Sequence, residues 1–183
     1  MRSLWSRART REDGVGLVEL IIAMTILTVG LLAILATFSS GMTALARSSR
    51  TATASTLADS QLQRYRAITY CAIRLRTGSI PTTAPYTNAP DHDAAATKVT
   101  DTAPGSCGAI TQACPAPPNT IKECEATRDV TGPEGRPYRI DTYIVTKTVA
   151  ARETKKVTVV VRDPSNGDAV LTRHVSLFER LLG

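Results

Sequence analysis

The chain has 183 residues, of which 43% are apolar and 21% charged, with a formal net charge of +6 at pH 7. That length holds one domain with appendages, and the apolar share excludes a chain too polar to bury a core. The residues are unevenly spread: the first 80 contain no proline, whereas nine of the ten prolines fall between Pro81 and Pro137.

Residues 1–14 form a basic leader carrying Arg2, Arg7, Arg9 and Arg11. An apolar run follows over 17–36, broken by one ionisable residue, Glu19. Twenty helical residues at ~1.5 Å each span about 30 Å, the thickness of a hydrocarbon core. A membrane-spanning helix is therefore expected over 15–38. Basic flanks stay on the cytoplasmic side, so the four arginines set the N-terminus inside, against Arg47 and Arg50 at the other end. A secretory signal peptide would have a shorter apolar stretch and a small-x-small cleavage site. A plain signal anchor fits the length but gives no reason for Glu19. An ionised group at the bilayer centre costs ~2.5–3.5 kcal/mol on insertion scales.

Beyond the span, Ala58, Leu62, Tyr65, Ile68, Ala72 and Leu75 recur at spacings of three and four, which predicts an amphipathic continuation of the helix over 39–76. Its other face carries Arg64, Arg66, Arg74 and Arg76. Gly78 and Pro81 are expected to stop it. Residues 77–135 are rich in Pro, Ala, Thr and Gly and read as a variable loop, longer than a compact domain tolerates without a staple.

Strand signals occupy residues 136–183. "YRIDTYIV" alternates, with Tyr138, Ile140 and Ile144 on one face and Arg139, Asp141 and Tyr143 on the other. "KKVTVVVRD" and "AVLTRHVSLF" flank Asn166-Gly167, a pair suited to positive φ, and read as an antiparallel hairpin over 155–178. One face of such a sheet needs cover, and the amphipathic helix is the element able to supply it. The expected fold is α+β: a long N-terminal helix packed on a small antiparallel sheet.

Four cysteines, Cys71, Cys107, Cys114 and Cys124, lie on the outer side of the span. None stands in C-x-x-C spacing, so two disulfides are expected rather than a metal site. Three pairings are open. "DHD" at 91–93 offers carboxylate and imidazole donors but reads as a solvated turn, and His174 as a sheet residue. No triad spacing, phosphate-binding glycine loop or G-x-S-x-G occurs, so the chain reads as a non-enzyme needing no cofactor or metal.

The basic leader ending in Gly14, the apolar helix with Glu19 five residues on, the long helix, the loop and the C-terminal sheet together resemble the type IV pilin-like family of pilins, minor pilins and pseudopilins of type II secretion. "ILTVGLLAIL" further resembles the minor pilins that prime assembly. The resemblance implies cleavage between Gly14 and Val15 by a prepilin peptidase, N-methylation of Val15, and an assembly role for Glu19. It also implies other pilin-like subunits, a platform protein and an assembly ATPase as partners. The mature chain would pass from the cytoplasmic membrane into a cell-surface or periplasmic filament. Val15 and Gly16 stand where the family usually has Phe and then Thr or Ser. Two alternatives remain: a DNA-binding subunit of an uptake apparatus, using the arginine face, and a membrane-anchored binding domain that never assembles.

The absent side chain of Gly14 lets an extended backbone enter a narrow protease cleft. Gly14→Val is therefore expected to leave the full-length precursor in the membrane. Mass spectrometry of the wild-type N-terminus should find Val15 first, and a mature chain beginning elsewhere contradicts the assignment.

Overall fold

The structure, a computed structural model, describes residues 16–92, 99–100, 107, 122–149 and 152–180. The chain divides into two compact units, Met1–Ala46 and Arg47–Gly183. Helix α1 (Leu17–Arg66, 50 residues) contributes to both. It starts where the Gly16 carbonyl accepts the Glu19 amide at 2.8 Å and the Leu20 amide at 3.2 Å.

In the second unit, α1 buries Ala54, Ala58, Gln61, Leu62 and Tyr65, a stripe at helical spacing. The stripe covers a four-stranded antiparallel sheet of order β1-β2-β3-β4: β1 (Thr127–Thr131), β2 (Pro137–Val149), β3 (Arg152–Asp163) and β4 (Ala169–Glu179). Ile140, Thr142 and Ile144 of β2 lie opposite Val161, Val159 and Val157 of β3, and this row forms the core with the helix stripe. Ala54 and Ala58 are fully buried, so their small side chains let the helix sit close to the valines.

Helix α1 ends at Arg66, ten residues before the end expected from periodicity. Thr69 is extended, Tyr70–Ala72 forms one 310 turn and Thr77–Ser79 another. The cause is tertiary. The Lys155 side chain, fully buried, donates to the carbonyls of Tyr70 (2.9 Å) and Ile73 (3.0 Å) and lies 4.5 Å from the centre of the Tyr70 ring. The Tyr70 carbonyl also accepts the Ile73 amide at 3.2 Å, so the chain here closes a 310 turn around the ammonium instead of an α-helical turn. Ile73 and Leu75 are still buried, but in extended chain, where Leu75 bonds Val99 and Val99 bonds Ile144.

Part of the segment read as loop also builds the fold. Thr127–Thr131 is a strand, paired with β2 from Thr127↔Asp141 to Thr131↔Pro137. The hairpin after it is tight at Gly132, where a Cβ would come within 2.6 Å of the Tyr138 ring. Tyr86 covers the sheet face turned away from α1: its ring stacks on Tyr143 at 4.3 Å and its hydroxyl donates to the Thr142 carbonyl at 2.8 Å. The sheet is thus covered on both faces. Between β3 and β4, Asp163 accepts the Ser165 amide, and the positive φ values fall on Gly167 (60°) and Asp168 (58°).

Burial lowers Lys155 from its ordinary value to about 8, opposed in part by Glu153. Burial also pushes Tyr70, Tyr138 and Tyr143 up to about 12. Between pH 8 and 10.5 the unfolded chain holds a proton on Lys155 that the folded chain lacks, so this group makes stability rise with pH there. Above pH ~10 the unfolded tyrosines ionise first and stability falls. The melting temperature of the full chain in detergent should peak between these regimes. Lys155→Met should remove the rise, at most ~1.4 kcal/mol per pH unit, and keep the fall; an unchanged profile contradicts the burial of a charge at this position.

Candidate functional site

Among the described residues, nothing packs on the helix of the first unit. Residues from Leu17 (74% exposed) through Leu45 (68%) keep their large apolar side chains in the open. The polar groups along it are mostly silenced locally. Thr25, Thr28 and Thr37 donate their hydroxyls to the carbonyls of Ile22 (2.8 Å), Met24 (2.9 Å) and Ile34 (2.7 Å). A hydroxyl bonded back to its own helix is tolerated in hydrocarbon, where an unbonded one costs several kcal/mol. The apolar window within α1 is long enough to cross a membrane.

Glu19 is the exception. It stands in the first turn of α1, is exposed, and has no hydrogen-bond or ion-pair partner among the described residues. It stands at the positive end of the helix dipole, but a dipole does not replace a counter-charge in lipid. The arrangement therefore displays one unsatisfied carboxylate on an otherwise apolar rod. Gly14 and Val15, named with Glu19 from the sequence, lie outside the described residues.

The cysteines are oxidised where described. Cys71, on the 310 turn after α1, is bonded to Cys107 with Cα atoms 5.6 Å apart, and this bridge ties the Pro-rich middle to the helix end. Cys124 is also disulfide-bonded. Cys114 lies outside the described residues.

The arginine face is not a free cationic surface. Arg50 pairs with Asp163 (3.1 Å), Arg64 with Glu123 (3.2 Å) and Arg76 with Glu125 (2.8 Å), while Arg74 is buried. Asp91, read from the sequence as part of a solvated turn, is buried and paired with Arg173. Asp93 lies outside the described residues. These arginines hold acidic groups of the same chain and lock the region after α1 onto the sheet.

Two polar groups escaped the sequence reading. The fully buried Asp141 accepts from Arg162 (2.8 Å), Arg139 (3.0 Å) and Thr127 (2.9 Å), joining β1, β2 and β3. Removing one partner of such a buried pair costs ~3–5 kcal/mol. The other is a hydroxyl–imidazole–carboxylate chain: Ser55 lies 3.2 Å from His174 Nε2, and Asp59 2.8 Å from Nδ1. No triad spacing was visible because the members come from α1 and β4. Ser55 sits inside the helix, where backbone amides are already bonded four residues back, so no donor pair faces it to hold an oxyanion. The chain of groups fastens α1 to β4.

Comparison with known families finds the prokaryotic N-terminal methylation motif at residues 9–35, the prepilin signature of type IV pilin-like proteins. No curated protein and no solved structure matches the chain. The matched segment contains Glu19 and most of the exposed apolar helix, and the fold behind it has the pilin-like α+β arrangement.

Because Arg50, Arg64 and Arg76 are paired internally and Arg74 is buried, with Arg47 and Arg66 exposed, the detergent-solubilised full chain is expected to give no salt-sensitive shift of duplex DNA. Phosphate contacts would produce binding that weakens about a thousandfold or more between ~50 and 200 mM salt. Such a shift contradicts this reading of the arginine face.

Proposed function

We propose that this chain is a non-enzymatic structural subunit, a minor pilin or pseudopilin, of a type IV pilus or type II secretion filament, acting where assembly begins. The observation that carries the proposal is Glu19: a single unpaired carboxylate in the first turn of an exposed apolar helix, inside the prepilin signature. In this reading a prepilin peptidase cuts between Gly14 and Val15 and the new amine is methylated. The helix holds the subunit in the cytoplasmic membrane with its N-terminus inside. A platform protein and an ATPase then move it into a filament among other pilin-like subunits.

The chemistry gives Glu19 a specific task. Cleavage puts an ammonium on Val15, four residues and ~6 Å along the axis from Glu19. In a bundle of apolar helices each charge is heavily penalised alone, so the carboxylate of an incoming subunit seeks the amine of the one before it and fixes the axial register. A carboxylate that merely snorkelled to the headgroups would need no such partner. The folded unit beyond the span, closed by its own ion pairs and disulfides, is the part exposed on the filament.

Glu19→Leu keeps length and helix propensity and removes the charge. The variant should insert and be processed normally, while its entry into filaments falls by about two orders of magnitude, equivalent to the ~3 kcal/mol of an unpartnered buried ion. Quantifying processed protein in membranes against sheared filaments reads both. Normal filament entry contradicts the proposal, and processed wild-type protein that never leaves the membrane identifies a non-assembling anchored domain.

A further inference from the structure

Among the described residues the sheet is open at both ends: β1 is hydrogen-bonded only to β2, and β4 only to β3. Natural edge strands are usually short, charged or proline-bearing, which protects them from pairing with another chain. β4 is neither short nor proline-bearing, and from Val175 to Phe178 it carries no charge. It runs eleven residues without proline, and Val175 and Leu177 stand 49% and 58% exposed on the face away from α1. β1 at the other end is five residues long and carries exposed Asp129 on that same face, opposite Arg139 of β2.

The strand order decides which edges can meet. All neighbours in the sheet are antiparallel, so β1 and β4 of one molecule run in opposite directions. A second copy moved sideways along the sheet therefore brings its β1 antiparallel to β4, continuing the sheet without a break. The packed residues of α1, Ala54–Tyr65, then point the same way in both copies, as subunits drawn from one membrane require. Pairing β4 with β4 would need a twofold rotation about the sheet normal and would reverse one helix against the other.

We infer that β4 is the docking edge for β1 of a second copy of this chain, in the register that sets Asp129 of the second copy opposite Arg173. Arg173 is 45% exposed on the apolar-bearing face and so is open to a second carboxylate besides Asp91. The same register puts Arg128 of the second copy opposite His174 on the helix side, next to Asp59, which is 57% exposed. Thr127 falls opposite Val175. Charges of opposite sign meet on the face away from α1, where Asp129 opposes Arg173. A slip of two residues would put Asp129 against Val175 and leave Arg173 facing Thr131. Opposite-charge cross-strand pairs are worth roughly 0.2–1 kcal/mol each. A five-residue edge falls short of the ~1,000 Å² of a stable interface. The contact is thus too weak to join free subunits and forms where helix assembly has already brought them together. It is head-to-tail, the kind that propagates along a filament instead of closing a dimer. It rests on the filament reading above and requires adjacent copies at the site of assembly.

The test mixes two full-length variants, Thr127→Cys and Val175→Cys, each made with the native disulfides in place, and oxidises the assembled material. A reducible dimer should form in the mixture and in neither variant alone, and detergent-dispersed subunits should give none. Asp129→Lys, which sets a cation against Arg173, should lower the cross-link about tenfold with the melting temperature unchanged. Filaments that contain both variants but show no cross-link overturn the contact alone. A dimer from Val175→Cys by itself overturns the β1–β4 pairing in favour of β4 with β4, and a cross-link only to a different subunit overturns the second copy as occupant. Wild-type protein that yields no assembled material overturns the filament reading and this contact with it.

Discussion

An ionised carboxylate in hydrocarbon needs a counter-charge, and that requirement gives the rest of the molecule its organisation. From Leu17 to Phe38, α1 bonds its threonines to carbonyls one turn back, and its other side chains apart from Glu19 are apolar. Only Glu19 is left over. A helix satisfied in all respects but one is stable in a membrane and biased toward a partner that supplies the missing charge. Under the proposed function, anchoring and assembly would be two uses of a single surface, separated by whether the amine of another subunit is within reach.

The second unit follows the opposite rule. Its charges are consumed at home. Asp141 is enclosed by Arg139, Arg162 and Thr127; Asp163, Glu123 and Glu125 take up three arginines of the helix and the chain after it. Lys155 spends its hydrogen bonds on two carbonyls of the turn that carries Cys71, so the disulfide to Cys107 closes a segment already held in place. Under the proposed function, a unit wired this way would keep its shape on leaving the membrane surface, and β1 and β4, the open edges among the described residues, are where it would recognise a neighbour.

The parts legible in the sequence were those written in periodicity. The apolar run and its lone acid identified the exposed half of α1 and Glu19, alternation identified β2, and the runs flanking Asn166-Gly167 identified β3 and β4. The helix end at Arg66 was not legible. Ile68, Ala72 and Leu75 continue the helical rhythm, and the unwinding depends on Lys155, nearly ninety residues away. β1 was missed because "TRDVT" has no apolar alternation; Thr127 bonds it to Asp141 of β2 and Arg128 to Gln61 of α1. Tyr86 looked like a loop residue because the face it covers includes Tyr143, whose polar end gave no sign of a second buried side. The arginines on the helix read as a basic surface since their acids lie on other elements. In each case what was hidden is a long-range polar contact, which leaves no period in the chain.

The central claim is that Glu19 of one subunit meets the processed N-terminus of another. Solid-state NMR on filaments assembled from two differently labelled preparations, one carrying 15N at the Val15 amine and the other 13C at the Glu19 carboxyl, measures that contact directly. The account predicts a 15N–13C dipolar coupling between chains corresponding to a separation within about 4 Å, the reach of an ion pair, and its absence from the same protein dispersed in lipid. Filaments that lack the intermolecular coupling, with Glu19 in contact with lipid headgroups instead, would contradict it.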